Sequence, residues 1–531
     1  MTQYVCTAAA MRAAEQEFFD AHPDTDLMAV AAQQVAAQAR GMIADLGCGV
    51  RSSSVLVLVG GGNNGGDGLL AAAELADEGC HVRVCPVLGT PHAAGWQAAL
   101  RAGCEVVTME QAGQVVPDLV IDAVLGIGGR PGIRDDLAGL GEQLSAASWL
   151  AVDLPSGLDA NSGAVTTSLR ADVTVTFAAR KWCHVAPPAA ERCGRVDVVD
   201  IGVEPGGSGV DDLGSGPEPG GTVLGARVRD GDGVPGCADG WTSVVDEDDL
   251  ARLWPVPGPG DDKYSRGVVG MDTGSSQYPG AALLGTLGAL RTGAGMVRYV
   301  GPRRPADLVL AAMPSVVLAD GRVQAWVVGS GWGQDDPAAN ERRLHHRCAD
   351  GVPMVIDADA LSLLPAELPD DCLLTPHAGE LARMLGVDRD EVRENPRESA
   401  MQAARRFGAT VLLKGAIQWM ADPNGHVVEP TPSEILDEAD HPGAGQMPAG
   451  QVGCAAALPG PAWTGQAGSG DVLAGVCGTL LAAGVPAGWA GLLGASLQAL
   501  TACRHPGPWS PDQLAGFFPE IIGAFRRPSF P

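Results

Sequence analysis

A glycine-rich string near the start of the chain carries polar side chains that suit ligand binding. In GGNNGGDG (61–68), Asn63, Asn64 and Asp67 place side-chain oxygens within a turn whose glycines let the backbone bend sharply and approach a ligand. Backbone amides at the start of the helix that follows attract anions. The string therefore predicts a site for phosphate together with a cation or sugar hydroxyls.

Further oxygen-bearing side chains follow later strands of the same segment. Asp122 ends DLVID (118–122), and Asp153 and Ser156 lie in VDLPSGLD (152–159). Because the carboxyl ends of parallel strands meet at one crevice, we expect these side chains to face the glycine-rich string. One such residue would be explained as a turn or cap residue, but several strand ends opposite a polar loop favour a binding site.

The same string contains the GxGxxG pattern of dinucleotide-binding folds, at Gly60, Gly62 and Gly65. In ordinary nicotinamide dehydrogenases, an acidic residue at the end of the next strand holds the ribose. Here that strand, HVRVCPVL (81–88), has no carboxylate. An ordinary dehydrogenase is therefore disfavoured.

A second glycine-rich string, GQAGSGD (465–471), precedes an apolar helix. A phosphoryl group there would meet free amides and the positive end of the helix dipole, and Asp471 is placed to take a proton from an attacking hydroxyl. Alone, Asp471 would more often be a helix N-cap. Polar residues after other buried strands, such as His377 in LLTPHAGE and Lys414 in LLKG, favour a site. The chain has no GxxxxGK[ST] string, which excludes a Walker-type ATPase as the simple explanation.

Strand-like and helix-like patterns alternate in both halves of the chain, which predicts parallel sheets covered by helices on both faces. We therefore expect an α/β fold class, with two three-layer α/β/α domains. Helical patterns cover 68–79 and 135–147. The apolar strand-bearing segments are 55–59, 81–87, 118–122, 149–153, 172–177 and 196–203 in the first half, and 323–331, 353–361, 372–377 and 410–415 in the second.

The alternation stops after 203 and resumes at 243. Between them, 204–242 is rich in Gly, Pro and Asp and has little periodicity, which predicts a linker between domains over 1–203 and 243–531. A second irregular stretch, 431–460, borders the second glycine-rich string. Structureless loops of this length are uncommon inside a compact domain, so we expect a disordered excursion there.

Composition limits the classes of function. The 531 residues exceed what one core supports, and the net charge of −28 argues against nucleic-acid partners. Thirteen cysteines without a CxxC pair indicate neither a zinc site nor a redox motif, and they fit a reduced cytoplasmic setting. The first residues lack a basic segment followed by an apolar one, so we expect no signal peptide. The uncharged stretch 472–503 contains many glycines and one proline, so two buried helices joined at 484–486 explain it better than a membrane span. A homo-oligomer remains open.

The first half resembles a known family. GNNGGDG, DAVLG, VDLPSGLDANSG and TFAARK…GRVDVVDIG occur in the order found in the NAD(P)H-hydrate epimerase family, the Rossmann-like YjeF N-terminal domain. The resemblance implies a potassium ion held by Asn64, Asp122 and Ser156, and it makes Asp153 a catalytic candidate for proton transfer at ring carbon 6. Lys181 would be a structural or phosphate-facing cation. The implied hydrate-binding residues are Asn63, Asn64, Gly65, Gly66, Asp67, Gly126, Ile127, Gly128, Gly129, Arg130, Pro131, Gly132 and Asp153.

The second half resembles the NAD(P)H-hydrate dehydratase family of the ribokinase-like fold, through DKYSRG (262–267), YPGAALLGTLGALRTGAGMVRYV (278–300), DADAL, LTPHAGE, LLKG and GSGD. The resemblance implies ADP as co-substrate, magnesium on its phosphates with no carboxylate assigned to it, and Asp471 as the catalytic base. The implied hydrate-binding residues are Ala281, Gly331, His377 and Asp471. The implied nucleotide-binding residues are Lys414, Gly415, Ala416, Ile417, Gln418, Gly468, Ser469 and Gly470.

Together the two resemblances imply repair of hydrated NADH and NADPH. The first domain would interconvert the R and S hydrates, and the second would dehydrate the S form, releasing AMP and phosphate. Two alternatives stay open from the residues alone. The second domain could be a small-molecule kinase, because ribokinase-like kinases use the same GSGD-type loop, and the first could be a non-catalytic dinucleotide-binding or scaffold domain.

Overall fold

The computed structural model describes residues 3–47, 49–203, 240–333, 335–423 and 453–525. Within them the chain forms two compact units, an N-terminal unit that holds 4–203 and a C-terminal unit that holds 242–525. The expected linker over 204–242 lies outside the described residues except at its last three positions.

The N-terminal unit alternates strands and helices as the sequence pattern predicts. Its strands are β1 (Gln3–Cys6), β2 (Ser54–Val59), β3 (His81–Pro86), β4 (Glu105–Val106), β5 (Leu119–Ala123), β6 (Ser148–Val152), β7 (Val173–Phe177), β8 (Arg180–Lys181) and β9 (Arg195–Val199). Its helices are α1 (Ala8–Ala21), α2 (Leu27–Asp45), α3 (Asn63–Asp77), α4 (Ala93–Arg101), α5 (Met109–Gly113), α6 (Asp135–Gln143), α7 (Trp182–Val185) and α8 (Ala190–Cys193).

Seven of these strands form a parallel sheet in the order β4-β3-β2-β5-β6-β7-β9, and β1 pairs with β8 beside Lys181. Alternate residues of β2 enter different cores. Val55 and Val57 pack with α1, α2 and α3 on one face, whereas Leu56 and Leu58 pack with α5 and α6 on the other. The expected three-layer α/β/α arrangement is therefore confirmed for this unit. The chain reverses its direction across the sheet between β2 and β5, where ligands bind in folds of this type.

The first glycine-rich string is not a separate loop, because α3 begins at Asn63 rather than near 68. Glycine is unfavourable inside a helix, so the sequence pattern predicted too late a start. Close packing explains the glycines. A β-carbon on Gly65 would lie 2.1 Å from the carbonyl oxygen of Gly60, and one on Gly68 would lie 2.4 Å from the Ala123 β-carbon.

The C-terminal unit has a comparable arrangement. Its strands are β10 (Trp241–Val244), β11 (Val268–Asp272), β12 (Met296–Tyr299), β13 (Ala325–Val328), β14 (Met354–Ile356), β15 (Cys372–Leu374), β16 (Thr410–Leu413), β17 (Trp419–Asp422) and β18 (Gly453–Ala456). Its helices are α9 (Glu247–Leu253), α10 (Pro279–Arg291), α11 (Arg303–Ala312), α12 (Pro337–Cys348), α13 (Ala378–Leu385), α14 (Arg389–Glu394), α15 (Pro396–Phe407), α16 (Ser469–Ala482), α17 (Ala487–Arg504), α18 (Pro511–Ala515) and α19 (Phe518–Ala524).

The sheet of this unit runs β12-β11-β13-β14-β15-β16-β17-β18-β10. It is parallel except at β17, which is antiparallel to both its neighbours, so the expectation of an entirely parallel sheet is wrong there. A five-residue connection joins β16 to β17, and so short a connection permits only an antiparallel pair. The α/β fold class is confirmed, with α16 and α17 in the main core and α15 packed against β16 and β17.

Two further expectations concern the last third of the chain. Most of the predicted excursion over 431–460 lies outside the described residues, but its end forms strand β18, paired with β10 and β17. The uncharged stretch 472–503 forms the two buried helices α16 and α17, joined at 483–486. Among the described residues, no helix is long and apolar enough to cross a membrane.

Candidate active sites

The candidate site of the N-terminal unit lies at the carboxyl edge of its sheet. Asp122 is in β5, Asp153 directly follows β6, and three residues separate β2 from α3. These strands are neighbours in the order β2-β5-β6, so the sheet brings the three predicted regions together.

Asp153 is held in a buried ion pair with Lys181. The Lys181 ammonium lies 2.8 Å from Asp153 Oδ1 and also donates to Thr176 Oγ1 at 2.7 Å, while the Thr176 hydroxyl donates to the same carboxylate at 3.1 Å. Burial alone would raise the pKa of Asp153, but the Lys181 charge and hydrogen bond hold it below its usual value. Asp153 is therefore a carboxylate at neutral pH. The sequence left the role of Lys181 open, and the structure pairs it with the candidate catalytic residue.

The backbone at Asp153 is in the left-handed region, with φ of 67°. This conformation is unfavourable for a residue other than glycine, and such residues concentrate at functional sites. The turn aims one carboxylate oxygen at Lys181 and the other at the loop that follows β5, where the Ile127 amide donates to Oδ2 at 2.8 Å.

Asp122 and Ser156 form a second buried pair. The Ser156 hydroxyl donates to Asp122 Oδ1 at 2.6 Å and its amide to Oδ2 at 2.7 Å, while the Leu125 amide donates to Ser156 Oγ at 2.9 Å. Burial raises the pKa of Asp122 to about 6, against the opposing effect of the Ser156 hydrogen bonds. The amide nitrogen of Asn64 is buried without a hydrogen-bond partner in the described part of the chain.

This donor set fits an alkali cation. A carboxylate, a hydroxyl and an amide supply the hard oxygen ligands that such cations take, and the unbonded Asn64 amide leaves its orientation free to present oxygen. Asp122, Ser156 and Asn64 are the residues that would hold it.

The other predicted hydrate-binding positions surround these pairs. Asn63 to Gly66 form the first turn of α3, and Asp67 follows in the second turn as a buried side chain. The loop 126–132 turns back at Gly129, whose amide donates to the Gly126 carbonyl at 2.8 Å. At its end the Gly132 amide donates to the Gly157 carbonyl at 2.8 Å.

Sequence reasoning missed Glu15, on α1. Burial raises its pKa, and it interacts electrostatically with Lys181 and Asp153. Its neighbour Arg12 donates to the Ile127 carbonyl at 2.9 Å, so α1 contacts the loop that holds the site. The available signal was an acidic residue three positions after Arg12, on the same helix face.

The candidate site of the C-terminal unit is a cavity of about 800 Å³, large enough for nucleotide-sized ligands. It lies where β11 is flanked by β12 on one side and β13 on the other. Of the predicted residues, Ala281, Gly331, Gly468 and Asp471 line it together. Other lining residues are Gln277, Tyr278, Pro279, Gly280, Leu284, Gly333, Asp335, Asp359 and Ala467.

Asp471 lies in the first turn of α16, after Gly468 at the N-cap with φ of 94°. Gly468 lies against Leu284 of α10, where a β-carbon would approach the Leu284 side chain to 2.6 Å. The pKa of Asp471 is raised to about 7, because the effects of burial and of the Asp357 charge exceed the opposing effect of Lys414. A carboxyl with this pKa exchanges protons near neutral pH, as a general base requires.

Lys414 is bound to a buried aspartate that the sequence did not assign. Its ammonium lies 2.7 Å from Asp357 Oδ1, and Asp357 also accepts from Ser330 at 2.9 Å and Thr375 at 2.8 Å. Burial would lower the pKa of Lys414, but Asp357 and Glu380 raise it above its usual value. The ammonium also lies beside the α16 N-terminus, since a β-carbon on Gly470 would be 3.2 Å from it.

His377 does not appear among the residues that line the cavity. Its Nδ1 accepts from the amides of Gly379 at 2.9 Å and Glu380 at 3.2 Å, so it caps α13. Its backbone lies beside Lys414, to which it is joined by a β-bridge. The structure therefore gives His377 a capping role, close to the predicted nucleotide residues.

The remaining predicted nucleotide residues lie on two segments. Gly415 to Gln418 connect β16 to β17, and the Gln418 Oε1 atom is buried without a hydrogen-bond partner among the described residues. Ser469 opens α16, where its carbonyl accepts from Gln498 at 2.9 Å. An unbonded buried acceptor is unfavourable unless a ligand supplies a donor.

The side chains of this cavity support a magnesium site less strongly than those of the N-terminal unit support a potassium site. Asp335, Asp359 and Asp471 all line the cavity, and the Asp359 carboxylate accepts from the Gly333 amide at 2.9 Å. However, the described residues contain no group of three or more His, Cys, Asp or Glu side chains placed to hold a metal ion. Any magnesium here would need phosphate oxygens among its ligands, which is its usual mode with nucleotides.

Two α/β units, one with a buried ion pair at its sheet edge and one with a glycine-rich helix start in a large cavity, are typical of an enzyme with two sites for nucleotide-like ligands. Residues 24–183 match the family described as YjeF-related protein N-terminus. Residues 269–458 match the family described as NAD(P)H-hydrate dehydratase.

Similar proteins cover nearly the whole chain. The Mycobacterium tuberculosis (strain CDC 1551 / Oshkosh) bifunctional NAD(P)H-hydrate repair enzyme Nnr is 37% identical over 497 residues, covering 90% of this chain and 89% of the relative. The Mycobacterium leprae (strain TN) enzyme of the same name is 36% identical, with 94% of each chain covered. The chain belongs to the family of bifunctional NAD(P)H-hydrate repair enzymes, which confirms the resemblance of both halves.

Among solved structures, the ADP/ATP-dependent NAD(P)H-hydrate dehydratase from Bacillus subtilis, co-crystallised with ATP and Mg²⁺, aligns with a TM-score of 0.44 at 21% identity. The alignment covers 53% of this chain and 98% of that chain.

Proposed function

We propose that this chain repairs hydrated NADH and NADPH in two steps. The N-terminal unit interconverts the R and S hydrates, and the C-terminal unit uses ADP to dehydrate the S form to NADH or NADPH, with AMP and phosphate as by-products. Family membership over nearly the full length supports both activities. The observation that carries the proposal is Asp471, a half-buried carboxyl with a pKa of about 7 at a glycine-rich helix start in a large cavity.

In the N-terminal unit, the side chains supply a proton acceptor and a cation site. Asp153, kept ionised by Lys181, accepts a proton near ring carbon 6 of the hydrate. The amides at the start of α3 and the loop 126–132 bind the dinucleotide phosphates and ribose. Potassium bound by Asn64, Asp122 and Ser156 would add positive charge beside those phosphates. The hydrate-binding set is Asn63, Asn64, Gly65, Gly66, Asp67, Gly126, Ile127, Gly128, Gly129, Arg130, Pro131, Gly132 and Asp153.

In the C-terminal unit, Asp471 takes the proton of the C6 hydroxyl. The hydroxyl oxygen attacks the terminal phosphorus of ADP, and AMP is released. The amides at the start of α16 and the Lys414 ammonium stabilise the charge that builds on the phosphoryl group. The ring nitrogen lone pair then expels phosphate from C6, and loss of a C5 proton restores the ring double bond. Magnesium, when bound, would neutralise charge on the ADP phosphates.

The proposed ligand contacts of this unit lie in the cavity and on the segments beside it. Hydrate contacts come from Ala281, Gly331, His377 and Asp471, and His377 also caps the start of α13. The nucleotide lies along Lys414, Gly415, Ala416, Ile417 and Gln418 and along the turn formed by Gly468, Ser469 and Gly470. The Gln418 Oε1 atom, which has no hydrogen-bond partner among the described residues, accepts from the adenine amino group.

The domain boundaries proposed are 1–203 for the epimerase domain, 204–242 for the linker and 243–531 for the dehydratase domain. Both family matches fall inside these limits. We propose a cytoplasmic location, which the buried thiols of Cys85, Cys104 and Cys477 support.

Recovery of the reduced nicotinamide absorbance tests the proposal. The chain is incubated with hydrated NADH and ADP, with ATP in parallel, and the absorbance is followed. Asp471→Asn should slow the recovery by about 10²–10⁴-fold, the usual effect of losing a general base. The matched control is Asp512→Asn, an exposed aspartate in the first turn of α18, which should behave as the unmodified chain. If neither nucleotide supports recovery and phosphate is instead transferred to another small molecule, the unit is a kinase.

A further inference from the structure

Asp67 is a carboxyl that the described residues leave without a hydrogen bond, although only 8% of the residue is exposed. It follows Asn64 by three positions on α3, so both side chains project from one face of the helix. That face looks toward Asp153. A β-carbon on Gly126 would lie 3.1 Å from Asn64 Oδ1 and 2.9 Å from Asp153 Oδ2, so the two side chains flank the same glycine.

A second helix brings another carboxyl to the same place. Arg12 of α1 donates to the Ile127 carbonyl, and the Ile127 amide donates to Asp153. Glu15 lies three positions after Arg12, on the same face of α1. The charged groups around Asp67 are therefore the Asp153–Lys181 pair and Glu15, together with two cap residues of helices packed on α3. These cap residues are Asp26 of α2 and His92 of α4.

The surroundings of Asp153 and Asp67 favour different protonation states. Asp153 has Lys181 at 2.8 Å, which keeps it ionised. Among the described residues, Asp67 has no cation partner. Its pKa is raised to about 8, first by burial and then by the charges of Asp153, Glu15 and Asp26. Two neighbouring carboxyls whose environments separate their protonation states form a donor and acceptor pair.

We propose that Asp67 is the proton donor and Asp153 the proton acceptor of the epimerisation. This inference rests on the epimerase function proposed above for the N-terminal unit. Asp153 takes the proton of the C6 hydroxyl, and the C6–N1 bond breaks as the C6=O bond forms. The electron pair of the broken bond stays on N1, which accepts the proton of Asp67. The open-chain aldehyde rotates about the C5–C6 bond. N1 then attacks the opposite face, its proton returns to Asp67, and Asp153 returns a proton to the new C6 oxygen.

The test uses the full chain without ADP, so that the second unit is idle. A single hydrate epimer is supplied, and the appearance of the other is followed by chromatography and corrected for the uncatalysed rate. Asp67→Asn should lower the catalysed rate by about 10²–10⁴-fold, while the affinity for the hydrate, measured by equilibrium dialysis, changes by only a few-fold. Asp77→Asn, at the exposed end of the same helix, should match the unmodified chain.

The pH dependence supplies a second readout. A donor must be protonated, so the catalysed rate should fall as pH rises through about 8. The residual rate of Asp67→Asn should lack this fall. Hydrate binding by the same variant in the absence of ADP, together with an unchanged unfolding midpoint of the N-terminal unit, shows that this unit has folded.

The outcomes separate the two levels of the argument. If the unmodified chain does not accelerate interconversion, the epimerase function itself fails, and the assignment of Asp67 fails with it. If the unmodified chain is active and Asp67→Asn equals it, only the assignment fails. Loss of hydrate binding with unchanged turnover at saturation also overturns the assignment, because Asp67 would then act in binding alone.

Discussion

At the residue scale, the protonation of Asp471 depends on burial and on charged neighbours with opposing effects. Burial and the Asp357 carboxylate favour its neutral form, while the Lys414 ammonium favours the charged form. The resulting pKa of about 7 is above the ordinary value. A base must be ionised, so dehydration under saturating hydrate and ADP should accelerate as pH rises through about 7 and level off above it.

The measurement is the rate of nicotinamide recovery across this range. A pH-independent rate from about 5.5 to 9 would contradict the role of Asp471 as base, since an ordinary aspartate would be ionised throughout. The terminal phosphate of ADP also changes its ionisation near neutral pH. The residual rate of Asp471→Asn, followed over the same range, isolates that contribution.

Individual residues show how far the sequence reaches. Asp122 and Asp153 were predictable as strand-end residues because strand patterns are local. The partners of charged groups were not, because Lys414 and Asp357 are 57 positions apart and meet only when the sheet forms. His377 shows a role that the strand-end pattern does not predict, because its ring nitrogen also caps α13.

At the scale of elements, glycines set how closely helices approach. Helix α16 crosses α10 so tightly that a β-carbon on Gly475 would lie 1.9 Å from the Gly285 carbonyl oxygen. The contact fixes the helix whose first turn holds Asp471. Gly475→Ala should therefore lower the free energy of unfolding of the C-terminal unit by about 1–3 kcal/mol or more, through overpacking against backbone.

Calorimetric unfolding measures this loss. The matched control is Gly523→Ala on α19, where a β-carbon meets nothing within 4 Å. It should be neutral or stabilising by about 0.5–1 kcal/mol, because alanine favours helix more than glycine does. Equal midpoints for the two variants would show that α16 and α10 can separate without loss.

Elements were predicted where periodicity is strong and missed where tertiary packing overrides it. The buried strands β2, β5, β6 and β7 were visible as short β-branched runs. The start of α3 was not, because its glycines are poor helix formers and their close packing, such as Gly65 against Gly60 and Gly68 against Ala123, is a tertiary property. Strand β18 was hidden in irregular sequence, because its pairing with β10 and β17 is a long-range property.

At the scale of the whole molecule, the chain carries two active sites on units that have separate cores. Each site should therefore be removable without loss of the other. A double variant, Asp153→Asn with Lys181→Met, removes both charges of the buried pair and avoids leaving one of them unpaired, which would destabilise the unit.

Given a mixture of R and S hydrates with excess ADP, the unmodified chain should consume both in one phase, because interconversion feeds the dehydratase. The double variant should consume the S hydrate at the normal rate and the R hydrate only as fast as it epimerises without catalysis. Progress curves of nicotinamide recovery, with chromatography of the residual hydrate, distinguish the phases. A single fast phase in the double variant would mean that the dehydratase accepts both epimers or that another group performs the epimerisation. Separate assay with the pure R hydrate then decides between these, since only direct dehydration of R proceeds without the transient appearance of S.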